Sequence, residues 1–169
     1  SYSQNISQGG LQHAATGTNA GYPAPSSLAP SSGKWYAEVR TSTNGGGNVI
    51  SVGVYIYEDM DDWDNTYNFW PGQGGTDGCG AGWEMRNDGN NWIKHKLSSG
   101  SELVTSNPTY TVAAGDVIGI AVDRDNDLIT FYGNNGSSVG STTLPPGRIM
   151  FAAINVLSSG TWTWNFGDN

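Results

Sequence analysis

Gly115-Asp116-Val117-Ile118-Gly119-Ile120-Ala121-Val122-Asp123, then Arg124-Asp125-Asn126-Asp127, then Leu128-Ile129-Thr130-Phe131-Tyr132, reads as a buried strand, a turn and a second strand. Gly115-Asp116 at the entrance suits a tight turn whose carboxylate accepts hydrogen bonds from nearby amides. Gly119, between two isoleucines, leaves room for a backbone or a large ring to approach closely. Gly133-Asn134-Asn135-Gly136 turns the chain again.

The same grammar extends outward in both directions. Residues 34–41 read as a strand, and Asn44-Gly45-Gly46-Gly47 as a turn. Residues 49–57 alternate, with Ile50, Val52, Val54 and Ile56 on one face and Ser51, Gly53, Tyr55 and Tyr57 on the other. Residues 83–86, a turn at Asn87-Asp88-Gly89-Asn90, and residues 92–97 form a further strand pair. Residues 98–108 read as polar linker. Pro145-Pro146-Gly147 precedes a strand at 149–156, and 161–166 alternates with Trp162, Trp164 and Phe166 on one face. Residues 1–32 are rich in Ser, Gly, Ala and Pro and are expected to be an irregular lead-in packing on the rest, with room for a short strand near 10–13. Trp35 and Tyr36 fall on opposite faces, so one is expected in the core and the other at the surface. Short strands separated by turn chemistry, with no amphipathic helix and no fixed repeat, predict an all-β antiparallel sandwich or barrel forming a single domain over residues 1–169.

Composition agrees. Aromatic residues make up 11% and 25 residues are Gly, a mixture that favours pleated surfaces and turns, while charged residues are 13%, too few for long solvent-facing helices. The net charge is −8 with seven scattered basic residues, which argues against nucleic acid and anionic membranes as partners. No apolar run is long enough for a membrane span, so no membrane insertion is expected. Cys79 is alone and can form no internal disulfide, a usage that fits a reducing cytoplasm or a virion assembled in one. The start at Ser1 rather than Met reads as a piece excised from something longer.

Several stretches together resemble the SPRY domain family: Gly33-Lys34-Trp35-Tyr36-Ala37-Glu38-Val39 with Val52-Gly53-Val54, the strand at 115–123, the hairpin Leu128-Ile129-Thr130-Phe131-Tyr132-Gly133-Asn134-Asn135-Gly136, and the closing Asn165-Phe166-Gly167. The resemblance implies a two-layer, bent antiparallel β-sandwich of the concanavalin-like jelly-roll type, and a recognition module whose loops bind a peptide or protein. The hairpin is one residue longer than the family's commonest form, and the loop at 58–82 is unusually acidic and Gly-rich, so no known member's partner carries over. The lead-in, from Asn5 through its Ala, Thr and Gly-rich stretch, resembles in style SPRY modules of bacteriophage structural proteins.

The chemistry-bearing residues point to binding. Trp63, Tyr67, Phe69 and Trp70 sit on the longest loop, where aromatics can stack on a sugar or anchor a peptide. Asn87, Asp88, Asn90, Asn91, Asn134 and Asn135 would add polar support from neighbouring turns. The acids Glu58, Asp59, Asp61, Asp62 and Asp64 are a calcium candidate by ligand type. They lack the spacing of a hand-type loop, so a solvated acidic rim is expected and no metal or cofactor is assigned. Glu38 and Glu84 are the strand-borne carboxylates that a glycosidase would need, without the paired motif of lectin-like glucanases. His13 and His95 make neither a triad nor a zinc site. No catalytic residue is assigned.

The leading expectation is a non-catalytic module on a phage virion surface or tail, mediating host attachment or contact with other virion proteins. It would bind a protein or a surface glycan through its loops and could form a homo-oligomer within an array. The alternative is a cytoplasmic, peptide-binding adaptor, and the third reading is a carbohydrate-active enzyme of lectin-like fold.

Overall fold

The computed structural model describes residues 3–7, 12–16, 28–29, 31–42, 49–56, 80–86, 90–96, 101–156 and 160–166. They form thirteen strands and no helix: β1 Ser3–Ser7, β2 Gln12–Thr16, β3 Leu28–Ala29, β4 Lys34–Thr41, β5 Val49–Ile56, β6 Gly80–Arg86, β7 Asn91–Lys96, β8 Glu102–Ser106, β9 Val117–Asp123, β10 Leu128–Tyr132, β11 Ser138–Thr143, β12 Ile149–Val156 and β13 Gly160–Asn165. Two sheets stack face to face. The seven-stranded sheet runs β1-β2-β13-β4-β9-β10-β11 and the six-stranded sheet β3-β12-β5-β6-β7-β8. All pairings are antiparallel. The two last strands insert among the first, β12 between β3 and β5, and β13 between β2 and β4.

Alternation decides which side chains meet between the sheets. The seven-stranded sheet contributes Ala37 and Val39 from β4, Ile118, Ile120 and Val122 from β9, Ile129 and Phe131 from β10, and Trp162 and Trp164 from β13. The six-stranded sheet answers with Ile50, Val52, Val54 and Ile56 from β5, Ala81, Trp83 and Met85 from β6, Ile93 from β7, and Ile149 and Phe151 from β12. Trp162 and Trp164 are buried as their spacing predicts, and Phe166 packs at their margin, its ring stacked on Trp164 at 5.5 Å.

The turns follow their side chains. Asp123 Oδ1 accepts from the amides of Asp125 and Asn126, and Oδ2 from Asn126 Nδ2, so the residue that ends β9 also shapes the turn into β10. Gly119 has the close neighbour its place in the sequence requires: a Cβ there would lie 2.5 Å from Tyr36 Oη.

Three local expectations are corrected, and one strand forms where the sequence names no element. Residues 98–108 are not all linker, because β8 pairs with β7 there as an edge strand. Leu103 and Val104 are both exposed, so β8 carries no apolar alternation by which to find it. Residues 138–143, Ser-Val-Gly-Ser-Thr-Thr, form β11 on the strength of hairpin pairing with β10 rather than of apolar period. Residues 1–32, expected to be irregular with room for a short strand near 10–13, hold three strands: β1 and β2 form a hairpin on the edge of the seven-stranded sheet, β2 lying close to the expected strand, and β3 pairs with β12. Trp35 and Tyr36 are both exposed, at 41% and 52%. Tyr36 is on the outer face, and Trp35, though on the inner parity, lies near the start of β4, its Nε1 donating to Ser32 O at 2.9 Å.

Candidate binding site at one end of the sandwich

Strand direction gathers several loops at one end. β4 ends and β9 begins there, in register at Arg40 and Val117. β10 turns into β11 there through residues 133–137, and β6 ends and β7 begins there. The connection 107–116 crosses this end and is its organiser.

Tyr110 ties that connection to everything around it. Its hydroxyl donates to Asp116 Oδ2 at 3.0 Å and accepts from the Asn134 amide at 2.9 Å. Its carbonyl accepts from Asn91 Nδ2 at 2.6 Å. The ring meets Trp83 edge to face at 5.4 Å and lies so close to Gly133 that a Cβ there would come within 2.4 Å of it. Burial raises the Tyr110 phenol above its ordinary value, with the Asp116 carboxylate adding to the rise, so the hydroxyl keeps its proton at neutral pH. Asp116 also accepts from the Ala113 amide at 2.9 Å, the role its place before a strand predicts, and Gly115 takes a φ of +92°. The hairpin is equally self-determined. Gly133 N donates to Ser137 O, Gly136 N to Gly133 O with Gly136 at φ +74°, and Ser137 N to Asn135 Oδ1.

Between these two fixed walls runs a groove of about 490 Å³, with Asn107, Pro108, Thr109 and Tyr110 on one side and Asn135, Ser137, Ser138 and Val139 on the other. Among the described residues that line it none is charged. Their chemistry is hydroxyl, amide and one aromatic, a surface that can hydrogen-bond and pack.

The candidate residues named from sequence divide into three groups. Asn135 lines the groove. Asn134, Asn90 and Asn91 lie at the same end but spend side chain or backbone on construction: Asn134 Oδ1 accepts from Val117 N at 2.8 Å, Asn90 O accepts from Arg86 N, and Asn91 is buried beneath Tyr110. Trp63, Tyr67, Phe69, Trp70, Asn87 and Asp88 lie outside the described residues, as do Glu58, the calcium candidates Asp59, Asp61, Asp62 and Asp64, and Cys79. The strand residues Ile56 and Gly80 that flank the long loop sit at the sandwich end remote from the groove, since Tyr55 pairs with Gly80 whereas Val49 pairs with Arg86. Among the described residues no group of three His, Cys, Asp or Glu could hold a metal ion. Tyr110 and residues 107–109 were not singled out in the sequence. The signal was Asn107-Pro108 and a lone Tyr closing a polar stretch otherwise read as linker.

The two strand-borne carboxylates do not converge. Glu38 is on the outer face of the seven-stranded sheet, accepting from Tyr36 Oη at 3.2 Å and Asn165 Nδ2 at 3.3 Å. Glu84 is on β6 between the core residues Trp83 and Met85, hence on the outer face of the other sheet, where it pairs with Lys94 and Arg86. The two histidines are on different sheets. His13 is on β2, and His95 on β7 points inward to Thr142 Oγ1 at 2.7 Å, its burial lowering its affinity for a proton.

At the opposite end Lys34 Nζ stands 2.8 Å from Asp123 Oδ2. That hydrogen bond, reinforced by Asn126, holds the Asp123 carboxyl down from 3.8 to about 2. A depressed carboxyl stabilises the fold above its ordinary pKa, and the contribution is lost as pH falls through the folded value. The Asp123 side-chain resonance is therefore expected to titrate near pH 2, and Lys34→Met to move that midpoint up toward 3.8. A wild-type midpoint at 3.8 would refute the pairing.

A family model of the SPRY domain matches residues 34–169. No curated protein sequence matches the chain. Among solved structures it is similar to the TRIM65 PSpry domain, at 16% identity and a TM-score of 0.53, covering 92% of this chain and 70% of that one. It is likewise similar to the SPRY domain of human HERC1, at 15% identity and a TM-score of 0.55, covering 98% and 94%. Stonustoxin aligns at 13% identity and a TM-score of 0.60, covering 96% of this chain and 25% of that one. At these identities the likeness concerns fold.

Proposed function

The chain belongs to the SPRY domain family, and from that premise we propose that it is a non-catalytic module that binds a protein partner in the groove between residues 107–110 and 135–139. The observation that carries this is the bracing of both walls. Tyr110 is anchored by hydroxyl, carbonyl and ring, and the facing hairpin is closed by its own backbone, so little order remains to be gained on binding. A hydrogen-bonding groove with no charged side chain among the described residues suits an extended peptide segment, whose own backbone donors and acceptors need partners.

Two settings fit such a module. An adaptor requires no more than the groove. Placement on a virion surface or tail, with contacts to other virion proteins or a host glycan, is supported by the composition style of residues 5–33 alone. The neighbouring domains of the parent protein separate the two, because ubiquitin-ligase or kinase-like parts would exclude the virion.

The groove itself is tested with a peptide selected from a display library against the whole chain and measured by titration calorimetry. Ser138→Arg, which fills the groove from an exposed position, is expected to weaken binding by about tenfold or more, roughly the loss of one well-made contact. Thr143→Arg, exposed at the far end of β11, is expected to leave it unchanged. Equal affinities for both variants and the wild type would remove the groove as the site.

A further inference from the structure

A second cleft flanks the same connection on its other side. It has a volume of about 520 Å³ and is walled by Arg40, Ser42, Gly115, Thr161 and Thr163. Among the described residues one cation and several hydroxyls line it and no acid does, in a chain whose net charge is −8.

Arg40 is set apart by what it faces. Lys34 pairs with Asp123, Arg86 and Lys94 with Glu84, and Arg124 with Asp127. Arg40 gives its Nε to the carbonyl of Gly115 at 3.2 Å, and among the described residues no carboxylate is within ion-pair distance of its guanidinium. The two acids nearest along the backbone are engaged elsewhere. Glu38, on the same face of β4, holds Tyr36 and Asn165, and Asp116 holds Tyr110 and the Ala113 amide. The terminal nitrogens of Arg40 thus keep the planar donor pair that matches a carboxylate.

The surroundings are fixed around this donor pair. Thr41 N donates to Asp116 O and Gly115 N to Thr41 O at 2.7 Å, while Ser42 N donates to Thr161 O. Ser42 Oγ accepts from Thr161 N at 2.8 Å, which leaves its own proton to donate. The hydroxyls of Thr161 and Thr163 are half-exposed beside it.

We propose that this cleft is an oxyanion site that seats the side-chain carboxylate of an acidic residue in the protein partner, with Arg40 as the bidentate donor and Ser42 and Thr163 as supporting hydroxyls. It deepens the reading of this end as the recognition end, since the 107–116 connection forms a wall of both the groove and the cleft.

The test uses small anions on the whole chain. Acetate and inorganic phosphate are titrated separately at ionic strength held constant with chloride, and ¹⁵N spectra follow the Arg40 Nε–H, Ser42 and Gly115 signals. Acetate is expected to shift all three saturably. Arg40→Gln should weaken its binding by about tenfold or more, as expected on losing a charged hydrogen-bonding partner, and Arg40→Lys should restore part of it. No acetate-dependent shift, or the same shifts in Arg40→Gln with a native-like spectrum, overturns the site. Shifts with phosphate and none with acetate overturn the carboxylate assignment in favour of a phosphorylated residue. Because the selected peptide reads the groove and acetate reads the cleft, either can fail while the other stands.

Discussion

Trp83→Ala is expected to lower the free energy of unfolding by about 3–5 kcal/mol, the range for removing a fully buried large aromatic. Trp83 is 0% exposed, at the middle of β6, with the rings of Phe131 at 6.2 Å across the core and Tyr110 at 5.4 Å toward the groove. A domain of this size has about 5–15 kcal/mol in total, so the loss takes roughly a fifth or more of it. Phenylalanine should cost less than alanine because it refills most of the volume, while both variants equally remove an indole N–H that has no hydrogen-bond acceptor among the described residues. The order wild type, Trp83→Phe, Trp83→Ala in urea midpoint is the expected result. The alanine variant should also bind the selected peptide more weakly, because Tyr110 loses the ring that sets its tilt. Alanine matching wild type would mean that the core is not centred on this residue.

Removing Glu84 is the second large effect. Its carboxylate is 1% exposed on the outer face of the six-stranded sheet, beside the Lys94 ammonium and 2.9 Å from Arg86 Nε. Both cations also stand over the Trp92 ring, Arg86 at 4.6 Å and Lys94 at 5.6 Å from its centroid. Glu84→Ala takes the shared anion away from two neighbouring cations, one of them buried, and is expected to cost about 3–5 kcal/mol, as breaking a buried pair does. Replacing the pair together, Glu84→Leu with Lys94→Met, should recover most of that loss, because an apolar pair of similar volume needs no compensating charge. Denaturant unfolding of Glu84→Leu, Lys94→Met and the double closes the cycle, with Glu84→Ala measured beside them. A loss below about 1 kcal/mol for Glu84→Ala would put the pair in the class of solvated surface bridges.

The legible parts of the fold were those whose own pattern carries the information. β4, β10 and β12 stand at the bounds their residues predict, and β9 starts at Val117, just after Asp116. β9 is the clearest case, an apolar run bounded by two residues that shape their own turns, Asp116 before it and Asp123 at its end. β8 and β11 were illegible because neither has an apolar alternation, and β1 and β2 because a Ser, Gln and Ala-rich stretch pairs only when an edge is available. The two acids weighed as a catalytic pair show the same limit from the other side. Each lies on a clear strand, yet only the stacking of the sheets turns Glu38 and Glu84 onto opposite outer faces.

By itself the sequence determined that the chain is all-β, because period-two burial and turn chemistry are local properties of the backbone and its nearest side chains. It also determined that Gly119 admits a ring and that Asp116 shapes a turn, for the same reason. What only the tertiary structure decided is which loops share an end. Residues 107–110 and 135–139 become two walls of one groove, and Arg40 meets Ser42, Gly115 and Thr163, through pairings between strands far apart in the chain, and no local pattern encodes those.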